Sequence, residues 1–251
     1  MAFNPNDPKF KVKTKHLPVL LLLDVSGSMY GDKIETLYDA TVDMINAFSD
    51  SRTREVEIKV AIITFGKEVC LHTPFTPAGE LRNKGLSLFN ASGMTPLGTA
   101  LRMVKEMIED KTVLPPPIYK PAVVLVSDGE PNDSWEGPLK SFISEGRSMK
   151  CQRFAVGIGK EAKMGMLQKF ADTKDNLFYA EQATEIAKAF QFISNSVSQR
   201  SRSTNPDQIP IGKSQTFDNN AAGGIPKTAP AVNTTSDYPE GDPLADAFFG
   251  F

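Results

Sequence analysis

The run Leu17-Pro18-Val19-Leu20-Leu21-Leu22-Leu23-Asp24-Val25-Ser26-Gly27-Ser28 decides the fold. Its first part is almost continuously apolar, with no polar alternation, which is how a parallel strand buried on both faces reads. It stops abruptly at Asp24, so the strand delivers a carboxylate at its carboxyl end. Ala122 to Val126 repeats the pattern and stops at Ser127-Asp128-Gly129. Two buried strands therefore end in acid.

The segments between them alternate in period. After the turn Val25 to Gly31, Asp32 and Glu35 form a capping-box-like start. Ile34, Leu37, Thr41, Met44 and Phe48 then recur at helical spacing, predicting a helix to about Ser49. Val56, Ile58 and Val60 alternate with charged residues before Ile62, Ile63 and Phe65, predicting a strand stopped by Gly66, with Val69 to His72 beside it. Leu97, Leu101, Val104 and Ile108 mark a helix closed by Pro115 to Pro117. Asp133 and Glu136 open another, with Trp135, Leu139, Phe142 and Ile143 on one face. Phe154 to Ile158 predicts a strand, Met164 and Leu167 a short helix, and Leu177 to Ala180 the last strand. Ile186, Phe190, Ile193 and Val197 mark a final helix to about Arg200.

Strands alternating with helices predict an α/β, Rossmann-like fold: a mostly parallel central sheet with helices on both faces. Ligand sites in such sheets lie beyond the strand carboxyl ends. The expected organisation is an N-terminal extension (1–15), one domain (16–200) and a tail (201–251). From Ser201 onward Ser, Thr, Asn, Gly and Pro dominate, a composition that cannot offset the entropy of ordering, so the tail is expected to be disordered. Its end, 243–251, gathers Leu244, Phe248, Phe249 and Phe251, and reads either as a docking motif or as a chance apolar cluster.

A net charge of -2 lacks the basic excess that nonspecific nucleic-acid binding needs. Cys70 and Cys151 form no CxxC pair and, with only two histidines, suggest neither a disulfide framework nor zinc; buried free thiols in a reducing compartment are expected. The longest apolar run, Leu17 to Leu23, is far below the roughly 20 residues that span a bilayer. Phe3 to His16 is too polar for a secretory leader, so no membrane association and a cytoplasmic location are expected. His16 and His72 are isolated and receive no role.

Asp24 and Asp128 should meet at one edge of the sheet, where two carboxylates repel unless a cation joins them. Asp24, Ser26 and Ser28 alternate, so a tight turn through Gly27 can aim all three at one point. Gly93-Met94-Thr95-Pro96 precedes a helix and can bring the Thr95 hydroxyl to the same edge. The predicted ligands are thus Asp24, Ser26, Ser28, Thr95 and Asp128. All are hard oxygens, which suit Mg2+, with Mn2+ or Ca2+ as alternatives. Octahedral Mg2+ takes six oxygens at about 2.1 Å and often keeps waters, leaving room for an outside Asp or Glu. Helix capping would explain Ser26 or Ser28 alone, but none of the convergence.

Asp24-Val25-Ser26-Gly27-Ser28, Thr95 and Ser127-Asp128-Gly129 resemble the metal-ion-dependent adhesion site of von Willebrand factor A and integrin I domains, over His16 to about Arg200. The resemblance implies a metal-dependent protein-binding module rather than an enzyme. Leu17-Pro18-Val19-Leu20 before the motif, with the chain's size, is similar to bacterial tellurium-resistance TerY-type proteins. That narrower likeness implies a stress-response signalling component working beside a protein kinase and a PP2C-type phosphatase.

Two other readings compete. An Asp ending a first parallel strand also serves as nucleophile in metal-dependent phosphohydrolases, but those expect a second acid two positions on, where this chain has Ser26. No Gly-rich loop with Lys offers a nucleotide site. The third reading is a metal-independent scaffold that recruits partners through its tail. Glu130, Asn132 and Asp133 read as a solvated turn more readily than as an acidic rim, and Tyr30 and Met94 as either packing or partner contacts.

Overall fold

The computed structural model describes residues 14–53 and 55–208. Six strands form one sheet: β1 (Lys15–Asp24), β2 (Val56–Phe65), β3 (Val69–Pro77), β4 (Ala122–Ser127), β5 (Gln152–Ile158) and β6 (Leu177–Ala180). Their order is β3-β2-β1-β4-β5-β6, parallel throughout except β3, which runs antiparallel to β2. The predicted α/β fold is what the chain adopts. β3 extends beyond the expected Val69 to His72 and reaches Pro77.

The alternate residues of β1 explain its unbroken hydrophobicity. Leu17, Val19, Leu21 and Leu23 enter a core beneath α1 (Asp32–Asp50) and α6 (Ala183–Arg202). Leu20 and Leu22 enter the opposite core, beneath α3 (Leu97–Glu109), α4 (Glu136–Ser144) and α5 (Met164–Phe170). Every one of these β1 side chains is fully buried, as a strand covered on both faces requires. A short helix, α2 (Ala78–Lys84), follows β3 directly. Sequence reading passed over it because Ala78 and Leu81 are its only buried residues, too few to make a helical stripe.

Two local expectations change. Asp32 lies inside the first turn of α1 and does not cap it; Gly31 holds the cap position. Cys70 is exposed on the edge strand β3, whereas Cys151 is buried as expected.

The domain also continues past the expected end near Arg200. Ser201 is buried and donates to the Ser198 carbonyl, and the chain folds back so that Pro206 accepts from Arg200. Arg200 is fully buried: Nε donates to Pro206 O (3.0 Å), an Nη to Gln152 Oε1 (2.8 Å) and the other to Lys120 O (2.7 Å). Asp207 accepts from the Lys120 N–H at 2.6 Å and lies 3.9 Å from Lys15 Nζ. Residues 201–208 are thereby fastened to the base of the sheet. The remainder of the expected tail, with the 243–251 motif, and the 1–13 part of the extension lie outside the described residues.

Candidate metal centre

The strand order changes direction at β1: the chain builds outward to β2 and β3, then returns to place β4 on the other side. A crevice opens beyond the carboxyl ends where such a reversal occurs. β1 and β4 run parallel with Leu23 opposite Val126, so Asp24 ends level with Ser127 and Asp128 follows one residue on. Both acids are buried, at 0% and 1% exposure.

The loops converge with them. Ser26 donates its N–H to Asp24 Oδ1 at 2.9 Å, which turns the chain sharply after β1. Ser26 Oγ and Ser28 Oγ lie 3.1 Å apart, and the Ser28 hydroxyl donates to Asp128 Oδ1 at 2.7 Å. The strand ends are thus linked through the Ser26 N–H and the two serine hydroxyls. Thr95 is buried at 6% exposure, and a side chain added at Gly129 would lie 3.9 Å from its hydroxyl. All five predicted residues therefore meet at one edge.

Backbone bonds hold the loops in register. Val25 donates to Phe65 O, Ser92 to Val25 O and Gly27 to Gly93 O. The approach is so close that a Cβ at Gly66 would lie 2.6 Å from both Ser92 O and Val25 O. Gly93 has φ +77°, in the left-handed region that glycine tolerates, and a Cβ there would sit 2.3 Å from Lys67 Cα. These contacts fix Thr95 against the β1 turn. The Thr95 carbonyl accepts from the N–H groups of Leu97 and Asn132, which ties the Thr95 loop to the start of α3 and to the loop after Asp128.

Three roles were absent from the sequence reading. The Ser127 hydroxyl donates to Asp24 Oδ2 at 2.7 Å, so both Asp24 oxygens are engaged. Ser127 stood beside a predicted ligand, and only the register of β4 on β1 shows its target. Lys33, on the first turn of α1, places Nζ 2.6 Å from Asp128 Oδ2 and 3.2 Å from Ser28 O. No local spacing announces a pair 95 residues apart. Asp133 is not a solvated turn residue. It caps α3 from a distant loop, accepting from Gly98 N (2.8 Å), Thr99 N (2.9 Å) and Thr99 Oγ1 (3.0 Å). Glu130 pairs with Lys163 at 3.2 Å.

The electrostatics follow from burial. Desolvation pushes the Asp24 carboxyl up to about 6, with the neighbouring Asp128 charge adding to the rise; hydrogen bonds from Ser26 and Ser127 oppose it. Two buried carboxylates face one ammonium, so the edge carries surplus negative charge. Among the described residues no group of three or more His, Cys, Asp or Glu gathers. Any ion here would be held by carboxylates and hydroxyls, a donor set that fits a hard divalent cation. The residues present fit such a group: Asp24, Ser26, Ser28, Thr95 and Asp128 would hold it, and it would supply a positive centre for an anionic ligand.

The profile described as von Willebrand factor type A domain matches residues 19–192. The chain belongs to the von Willebrand factor type A domain family. Domains of this family mediate protein–protein interactions and carry a divalent-metal site. Solved structures share the fold. Proximal thread matrix protein 1 from the mussel byssus, in a form with a zinc-occupied MIDAS motif, is 19% identical over 72% of this chain and 48% of that chain, with TM-score 0.59. The vWF domain of the type V pili tip protein Mfa5 from Porphyromonas gingivalis is 12% identical over 74% of this chain and 96% of that one, TM-score 0.57. A von Willebrand factor type A protein from Catenulispora acidiphila is 16% identical over 73% and 42%, TM-score 0.52. This chain spans about half the length of the mussel protein it matches. No curated protein matches the chain. Among the described residues no helix is long and apolar enough to cross a membrane.

Proposed function

We propose that this von Willebrand factor A domain is a metal-dependent protein-binding module, in which Asp24, Ser26, Ser28, Thr95 and Asp128 hold Mg2+ and an Asp or Glu of a protein partner completes the shell. The observation that carries the reading is the hydroxyl bridge from Ser26 through Ser28 to Asp128, which draws two buried acids from separate strands to one point. Neutral hydroxyls in the donor set leave net positive charge on a bound divalent ion, which favours an anionic sixth ligand. The role is binding rather than catalysis: position 26, where a phosphohydrolase would carry its acid–base carboxylate, is a serine already turned toward Ser28. Turnover of a generic phosphomonoester by the pure protein, lost in Asp24→Asn, would overturn that part of the reading.

The narrower proposal is a cytoplasmic stress-response component of the tellurium-resistance TerY type, acting with a protein kinase and a PP2C-type phosphatase. Its support is the wording Leu17-Pro18-Val19-Leu20 before the motif and the chain's size. Co-purification of such a kinase with the metal-loaded chain, released by chelator, is the outcome it expects.

The deciding experiment is calorimetric titration of Mg2+ and Mn2+ into the metal-stripped full chain and into Asp24→Ala and Asp128→Ala. Saturable binding in the parent, weakened by at least about 100-fold in both variants, is expected for the loss of direct ligands. Equal binding in all three proteins overturns the assignment.

A further inference from the structure

Asn132 grips the loop that carries Thr95 at two neighbouring residues. Its backbone N–H donates to the Thr95 carbonyl at 3.1 Å, and its side-chain Nδ2 donates to Met94 Sδ at 3.5 Å. One residue on, Asp133 accepts from the Gly98 and Thr99 N–H groups in the first turn of α3. The loop after β4 therefore fastens the segment 94–99 at Met94, at Thr95 and at the helix start. The Met94 grip is the weakest of the three, because a thioether sulfur is a poor acceptor beside a carbonyl or carboxylate oxygen.

Among the described residues Met94 is also the methionine most open to solution. It is 64% exposed, against 47% for Met149; Met29, Met44 and Met166 are buried, and Met103, Met107 and Met164 pack against a core. The backbone beneath it is fixed. Gly93 has φ +77° with Lys67 close against it, and its carbonyl accepts from the Gly27 N–H. Above that fixed point the side chain keeps three rotatable bonds and a polarizable sulfur.

Oxygen transfer to this sulfur changes the grip in kind. A lone pair of Sδ attacks the terminal oxygen of a hydroperoxide, the O–O bond breaks and an S–O bond forms. The sulfur is oxidised by two electrons, and the departing oxygen takes the hydroxyl proton and leaves as water or an alcohol. The product is a sulfoxide, whose oxygen accepts hydrogen bonds far better than the thioether did. With that oxygen about 1.5 Å from sulfur, an N···O separation of about 2.9 Å closes a triangle on the existing 3.5 Å contact, so neither loop has to move.

We propose that Met94 is a reversible oxidation site for small hydroperoxides, and that its sulfoxide, held by the Asn132 amide, locks the Thr95 loop onto the loop after β4. The weakest of the three grips becomes a full hydrogen bond. The effect is on the stiffness of the loop and stands independently of what the edge binds.

The test treats the metal-stripped full chain with hydrogen peroxide until peptide mass spectrometry shows one added oxygen on Met94. Amide hydrogen exchange is then followed at Met94, Thr95, Leu97 and Asn132. A gained hydrogen bond predicts roughly fivefold slower exchange there, and treatment with methionine sulfoxide reductases should restore the original rates. Met94→Leu, in which Met149 can still react, should show no slowing. Asn132→Ala, in which Met94 still takes the oxygen but lacks the amide, should show none either. Oxidation of the core-packed methionines with Met94 left unchanged would overturn the site. Exchange that is unchanged or faster once Met94 is oxidised would overturn the lock, as would slowing that persists in Asn132→Ala.

Discussion

Buried charge occurs at both poles of the domain, and the two sites are built on opposite terms. At the base, Arg200 has no exposure and spends its donors on the Pro206 and Lys120 carbonyls and Gln152 Oε1. Burial still pulls its guanidinium down to about 10, but each of these bonds joins a different part of the chain. At the carboxyl edge Asp24 and Asp128 are equally buried, yet two negative groups share one partial counter-ion, Lys33, whose own side chain is 33% exposed. A buried charge whose partners are all internal holds a fold together. A buried surplus of charge has its remaining partner elsewhere, and a functional site is where such a surplus is tolerated.

The largest effect that could break this contrast is at the base. Arg200→Leu strands the Gln152 oxygen and two carbonyls in the interior and should destabilise the domain by about 3–5 kcal/mol in urea denaturation, without changing Mn2+ affinity measured under folding conditions. A milder loss, under about 1 kcal/mol, would make the latch decorative.

At the metal edge the sign reverses. Because burial raises Asp24 from 3.8 to about 6, the folded metal-stripped chain binds more protons than the unfolded one. This group's contribution is fully present below about pH 4 and is lost as pH rises through about 6, on the order of 3 kcal/mol. Asp24→Asn should flatten that part of the pH profile in chelator and raise stability near neutrality. A profile indifferent to the substitution would show that Asp24 is not desolvated as the structure has it.

Lys33→Met sharpens the comparison at intermediate size. With the ammonium removed from Asp128, Mg2+ should bind about tenfold more tightly by calorimetry, since a like charge beside the ligands opposes the ion. Weaker binding instead would mean that Lys33 orients Asp128 for the metal. The smallest expected change is Asp133→Ala, which uncaps α3 beside Thr95 and should lower stability by about 1 kcal/mol in urea denaturation.

Much of this was legible in the chain. Leu17 to Leu23 and Ala122 to Val126 announce central strands because both faces of each are covered, and their acidic endings point to the edge where Ser26, Ser28 and Thr95 also arrive. What escaped reading depends on register and distance. Ser127 reaches Asp24 only because β4 lies beside β1, and Lys33 reaches Asp128 only through the pitch of α1 over the sheet. Arg200 looked like the polar end of an amphipathic helix, and nothing local distinguishes a solvated arginine from one enclosed by residues 152 and 206. Asp133 was read for its own loop, whereas its carboxylate serves the first turn of α3, accepting from the Gly98 N–H 35 residues earlier.

The ion pair between Lys15 and Asp207 has an architectural consequence. It makes the entry to the first strand and the exit from the last helix neighbours, at the face turned away from Asp24. A module with adjacent ends can be spliced into a loop of another protein like a cassette, or circularly permuted through a short join, without reorganising its interior. Wherever it is placed, the attachment sits behind it and the ion-binding edge faces outward.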